Sequence, residues 1–539
     1  DNDGTITNKF ENEGNVGTIT NDGTFQDGIT NKDGGSITDI TNNNTITGGI
    51  TNEANATITT INNNNNLASI DNQGNITDVN NTSSITDINN SGTIENLNNT
   101  DAAATIDSIN NTGTIKDGNN EGTITDFNNE TAGVVEDFTN SGTLTNFNNN
   151  GGEVRTITNA QNGTINNFTN STQGRVENLS NAGTMNNLNN QTNAQIETIT
   201  NTGTITNGTN EGDITNLTHA ANGTIENFTN NATINNLNNQ QDGTIKTFDN
   251  SGRIDNTFSN AGKVENFNNN TGGQITGDII NQNSGVIDNL TNNGTITGGI
   301  TNESGGEIGT ITNNSDITEI DNSGTITKVD NNATITDVFN KANATINEFS
   351  NQTQGRVTNE FNNEGTVTTL NNQGAFDQGI TNKNGGAITD LTNDGTITNG
   401  ITNESGGEIG TITNNQNIDK IDNSGNITKV DNNATITELT NVANAKIETF
   451  DIQGNVTNAF TNEGTIDNLN NNTGGTLNDV TNAGTGNIGT LKNEGTLNGT
   501  LTNENGGTIG TIDNSSNITR IDNQEGGTIT NLNNNATGQ

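Results

Sequence analysis

Protein chemistry draws on nucleophiles, general acids and bases, and metal ligands, and this sequence is short of all but carboxylates. Its single histidine, His219, stands in "LTHAANG", and it has no cysteine. Nucleophilic triads and Cys/His zinc sites therefore cannot be assembled. His219 is expected on a solvated polar face beside a turn. Carboxylates outnumber basic residues 62 to 17, but Glu95, Asp107, Asp126 and Glu136 occupy variable positions, as charge that merely keeps a surface soluble does.

Three weaker signals point to binding. "DNDG" at 1–4 is half of a calcium loop, and "GGEIGTIT" at 305–312 lacks the aspartate of the G-G-x-G-x-D repeat, so loosely held Ca2+ is the most that calcium chemistry offers. "TIT", as at Thr295–Thr297 and Thr325–Thr327, sets two hydroxyls outward on one strand, in the manner of an ice-binding array. The position after the apolar residue is elsewhere Glu95, Lys116, Glu136 or Arg155, however, and charge interrupts that face. Sequons such as Asn167-Phe168-Thr169 and Asn216-Leu217-Thr218 follow from a chain so rich in Asn and Thr, although sugars on some of them fit an exported protein. No catalytic, cofactor-binding or metal-ligating residue is assigned.

Composition narrows the partners. A net charge of -45 argues against nucleic acid and anionic membrane. No apolar run is long enough to span a bilayer. The start, "DNDGTITNKF", is not a secretion signal, and a larger parent protein is expected. With 25% hydrophobic residues, composition alone resembles a disordered tract.

Periodicity overturns that resemblance. The chain repeats G-T-I, two variable residues, a second apolar residue, one polar residue and Asn, as in Ile94, Leu97, Asn99 and then Ile106, Ile109, Asn111. About fifty such units of 9 to 12 residues fill residues 1–539, read as one continuous array without separate domains. Extra residues enter between Asn and the next Gly, or between the two apolar positions, as in "ITGGI" (Ile296, Ile300) and "VTNEF" (Val357, Phe361). Insertion points read as turns, so each unit is expected to supply two very short strands. Helix is excluded by the β-branched residues and the absence of any 3.6-residue stripe. Thirteen of the 16 Phe hold the second apolar position, and the lone Met185 holds the first. The expected fold is an all-β parallel solenoid whose equivalent residues stack about 4.8 Å apart. The absence of proline spares every ladder N–H.

The constant Asn lies two residues past an inward apolar position, so it too should point inward. Asn99, Asn111, Asn129, Asn140, Asn149, Asn159, Asn170, Asn181 and Asn190 are expected to form a buried ladder of bonded amides. The rival reading is that Asn stands there because it tolerates left-handed turn geometry. Two units, about twenty residues, are expected per coil, because they enclose a real core, and give a rod of roughly 125 Å, whereas one unit per coil would double that length. Duplications do not decide: "GITNESGGEIGTIT" recurs at an offset of 101, an even number of units, but Val16 recurs at Val367, an odd number.

"DNSGTITKV" (321–329) and "NNGTITGGIT" (292–301) resemble the passenger regions of bacterial autotransporter adhesins and, more distantly, filamentous-haemagglutinin solenoids. The resemblance covers the whole chain. It implies a right-handed β-solenoid exported to the surface of a Gram-negative bacterium, although the family's signal peptide and outer-membrane barrel are not in this stretch. The expected role is a structural or adhesive extracellular protein, not an enzyme. It would self-associate into fibres or a sheath, or meet host or neighbouring-cell surfaces and their glycans. The alternative is a binding module for divalent cations, glycans or ice.

Overall fold

The computed structural model describes residues 1–535, and these form parallel β-strands with no helix. None of the described residues therefore lies in a helix long and apolar enough to cross a membrane. Where repeats are unsplit, each strand pairs with the next but one in sequence. Thr93–Asn99 lies between Asn75–Asn81 and Thr114–Asn120, while Ser84–Asn90 pairs with Thr105–Asn111. Consecutive units alternate between two parallel sheets, so two units close one coil and the one-unit alternative is excluded. The chain falls into two compact units, Asp1–Asn268 with Gly272–Gln274, and Asn269–Thr271 with Ile275–Gln539. Each is a stack of such coils.

The strands are longer than the sequence suggests. Most repeats form one seven-residue strand, such as Thr93–Asn99, rather than two short ones. The reason lies in the register. Ile76 pairs with Ile94 and Asp78 with Asn96, while the intervening Thr77 and Glu95 drop out of the pairing. At that residue the strand bends without ending, which lets Ile94 and Leu97, an odd number of positions apart, both face inward. Normal alternation then brings Asn99 inward as well. An extra residue at the bend has two outcomes. It splits the strand, as in Thr295–Ile296 and Ile300–Asn302, or it is absorbed as a register shift, as in Arg253–Asn260.

Aromatic rings gather inside each unit. In the first, Phe228, Phe248 and Phe267 stack with centroids 5.5 Å apart and rings within 2° of parallel. In the second, Phe349, Phe361 and Phe376 pack edge to face or tilted. Met185 is fully buried in the Ile column. Burial of each such side chain contributes about 1.5 to 3 kcal/mol, too little to order a coil of some twenty residues by itself, so stability must come from stacking. Two repeats carry glycine where the second apolar residue belongs, and the neighbouring coil fills the space. Gly118 pairs with Phe138, whose ring leaves only 2.4 Å for a Cβ on Gly118. Gly208 and Phe228 repeat the arrangement, with 2.3 Å.

Candidate functional site

The constant asparagines form two ladders, one at the end of each sheet, and every rung is donated in the same direction. In one ladder Asn81 Nδ2 donates to Asn99 Oδ1 at 2.7 Å, Asn99 to Asn120 at 2.8 Å, Asn120 to Asn140 at 2.7 Å, Asn140 to Asn159 at 2.9 Å and Asn159 to Asn181 at 2.7 Å. In the other, Asn90 donates to Asn111, Asn111 to Asn129, Asn129 to Asn149 and Asn149 to Asn170, each at 2.8 Å, and Asn170 to Asn190 at 3.0 Å. All nine asparagines singled out in the sequence are at most 1% exposed, four in the first ladder and five in the second. Their amides also donate to turn carbonyls, as Asn140 does to Thr164 at 3.1 Å. The second unit has two ladders of its own, with Asn302, Asn322, Asn340 and Asn363 in one and Asn313, Asn331, Asn351 and Asn372 in the other.

These rungs are not left-handed residues. Positive φ falls instead on turn residues such as Asn55 (58°), Asn193 (68°) and Asn222 (64°), none of which belongs to a ladder. The rival reading of the constant Asn fails, because hydrogen bonding rather than turn conformation selects it.

His219 requires a correction. It is not on a solvated face: it is 0% exposed and occupies a ladder position, paired with Asn201 and Asn239 in the adjacent coils. The sequence carried the signal, since in "DITNLTH" histidine stands where the repeat has Asn. Asn201 Nδ2 lies 3.1 Å from His219 Nδ1, and His219 Nε2 lies 3.0 Å from the Gly223 carbonyl. An amide nitrogen and a carbonyl fix the tautomer: Nδ1 accepts, and Nε2 carries the proton. The ring sits between glycines, with 2.6 Å from its Cε1 to a Cβ on Gly223 and 2.9 Å from its Cδ2 to one on Gly243. Burial holds its pKa below the ordinary value, against the opposite pull of backbone bonds to Gly223, Thr244 and Asn201. Having no second donor, His219 leaves Asn239 Oδ1 buried without a partner.

Outside, shorter amide columns run the other way. Asn187 donates to Asn167 at 2.9 Å, Asn167 to Asn146 at 2.8 Å and Asn146 to Asp126 at 2.7 Å. Asn98, Asn80, Asn62 and Asp39 form another such column. An ionised carboxylate only accepts, so Asp closes a column at its acceptor end. The strands Thr143–Asn150, Thr164–Ser171, Thr184–Asn190 and Thr204–Asn210 carry no charged residue. The other sheet over the same coils is charged, with Arg155 3.3 Å from Glu136 and Arg175 bonded to both Glu177 and Glu197. Those bonds raise the Arg175 pKa further.

Among the described residues, no three of His, Asp and Glu are placed to hold a metal ion. Shallow grooves interrupt the second unit. One, of about 400 Å3, lies around Gly410, Lys446 and Glu448; another, of about 450 Å3, lies around Asn458, Asp479 and Gly499. In the first, Lys446 is 3.2 Å from Glu448 and 3.0 Å from Asp467, an ion-pair network rather than a base beside a nucleophile. Taken together, the in-register coils, stacked core and amide ladders define a parallel β-solenoid repeat protein. No protein-family model and no curated protein matches the chain.

Proposed function

We propose that this chain is a structural or adhesive protein of a bacterial cell surface. It acts without catalysis and without a tightly bound cofactor, through a stiff repetitive scaffold and its polar faces. The observation that carries the reading is the uncharged Thr/Asn face formed by the four strands from Thr143–Asn150 to Thr204–Asn210, on a chain of net charge -45. Amides there are already held by their column neighbours, as Asn167 is by Asn146 and Asn187. Asn167 uses one N–H and one oxygen lone pair in the column and keeps the others for a partner, at little entropic cost of ordering. Contacts that are individually weak add up when the same pattern recurs at every coil. Repulsion between copies is least where charge is absent, so lateral self-association into fibres or a sheath would start at this face. Export to the cell surface, in the manner of an autotransporter passenger, belongs to the same reading and is supported by the resemblance in repeat wording.

Carboxylates on the face test the proposal. Asn167→Asp with Asn187→Asp leaves both buried ladders intact, and sedimentation velocity and negative-stain microscopy should show assemblies of the parent chain dispersing in the variant. Assemblies that form equally well in both proteins would refute a role for this face.

A further inference from the structure

His219 is the one titratable side chain built into either buried ladder, because every other described rung is Asn except Ile452. We propose that His219 makes the junction between its own strand, Asp213–His219, and the strands on either side, Gln195–Asn201 and Thr233–Asn239, a proton-sensitive opening point of the coil stack.

The geometry states the requirement. Nδ1 must be bare to accept from Asn201 Nδ2 at 3.1 Å. A proton on Nδ1 would set two donors against each other. Asn201 cannot relieve this by turning its amide over, because its Oδ1 is the acceptor for Asn181 Nδ2 at 2.7 Å, and Asn181 accepts from Asn159 at 2.7 Å. A flip would only move the donor-against-donor contact one coil up the ladder. The ring packs into the space that two glycines leave, since a Cβ on Gly223 or Gly243 would lie only 2.6 or 2.9 Å from it, and backbone flanks it on both sides. The imidazolium must therefore leave the slot, and the turn at 219–223 must open with it. On the far side the ladder is already weak, because Asn239 Oδ1 has no donor to lose.

No charge compensates. The charged residues of these strands, of the turns around them and of the strands that follow, Thr224–Asn230 and Thr244–Asn250, are Glu197, Glu211, Asp213, Glu226, Asp242, Lys246 and Asp249, all exposed or half-exposed, and only burial and backbone groups act on the ring. The sign follows. The folded pKa lies below the unfolded value of about 6.5, so closure is fully stable above that pH and weakens as pH falls beneath it, until the folded pKa is reached. In that window the opening equilibrium rises by up to about tenfold per pH unit, because between the two pKa values the proton binds the open form in preference to the closed one. Opening would bare the backbone edges of two strands, a template for β-pairing with another chain.

Because the chain has one histidine, one NMR experiment on the full-length protein reads it directly. Selective 15N/13C-histidine labelling should show the Nε2–H tautomer at pH 7.5 and a titration midpoint below 6.5. Hydrogen exchange between pH 7.5 and 5.5, corrected for intrinsic rates, should show protection falling in residues 213–245 but not around Ile452. In His219→Asn, which restores the repeat residue, that fall should disappear. A midpoint at or above 6.5, or the same acid-dependent fall in His219→Asn, would overturn the proposal; the wild-type titration decides even if the variant folds poorly.

Discussion

His219 in the first unit and Ile452 in the second both stand where a ladder asparagine belongs, and both are fully buried. Their consequences downstream are the same. Asn239 Oδ1 and Asn471 Oδ1, each one coil further on, are left without a donor, while their own amides restart the ladder at 2.7 Å to Asn260 and Asn493. Upstream they differ. Asn201 still finds an acceptor in the imidazole, whereas Asn432 has no side chain to donate to and keeps its bond to the Asn455 carbonyl at 3.1 Å. A ladder in which every amide points one way thus fails asymmetrically. An interrupted N–H falls back on turn carbonyls, but an interrupted oxygen faces inward with nothing to accept. The hydrophobic column behaves otherwise, because the gap at Gly118 is filled by the ring of Phe138. Apolar packing is non-directional and can borrow volume from a neighbour; a hydrogen bond cannot be borrowed.

The comparison predicts a graded series. The largest loss is expected where an unbroken ladder is cut. Asn140→Leu would orphan Asn159 Oδ1 and deprive Asn120 of its acceptor, costing about 2 to 4 kcal/mol. It should appear as a lower denaturant midpoint and as lost exchange protection in coils on both sides. A cost below about 0.5 kcal/mol would mean the rungs are decoration and the Ile452 gap is unremarked by the fold. Next comes Gly118→Leu, expected to cost about 1 to 3 kcal/mol through overpacking against Phe138, with Phe138→Leu in the same chain recovering most of it. Failure of that rescue would show that the column does not exchange volume between coils. Repair is smaller and of opposite sign. Ile452→Asn supplies Asn471 with a donor and Asn432 with an acceptor, but it gives up a buried aliphatic side chain, so a net gain of about 1 kcal/mol is expected, read as a raised melting temperature independent of pH.

Much of the fold was legible because the repeat is written in residue types with separate physical jobs. The spacing Ile94, Leu97, Asn99 located the inward positions, and the constancy of Asn located the ladder. Strand length was not legible, because whether the chain turns or merely bends at Glu95 depends on pairing to Thr77's coil, a relation between distant residues. The single Asn list also hid two ladders: neighbours in sequence such as Asn140 and Asn149 belong to different sheets, and only coil closure separates them. His219 was misplaced for a different reason. Histidine's usual preference for a wet surface outweighed its position in the repeat, yet in a stacked array position decides burial and residue type decides only what burial costs.

The outward columns supply the control that separates direction from burial. Asp126 ends a column by accepting from Asn146 at 2.7 Å, so it does outside what no buried residue does inside: it terminates a ladder with nothing left unsatisfied, because its remaining lone pairs face water. Asp126→Asn keeps an acceptor at that point and exposes its new N–H groups to solvent, so the change should move stability by less than about 0.5 kcal/mol. The same comparison three residues on, at buried Asn129, should be far from neutral, since Asn129→Asp would remove the donor to Asn149 at 2.8 Å and bury a charge. Equal effects at the two sites would mean that solvent reaches the inner ladder and that amide direction carries no weight. A large difference ties the chain's stability to the inner rungs and leaves the outer surface free to vary with its partners.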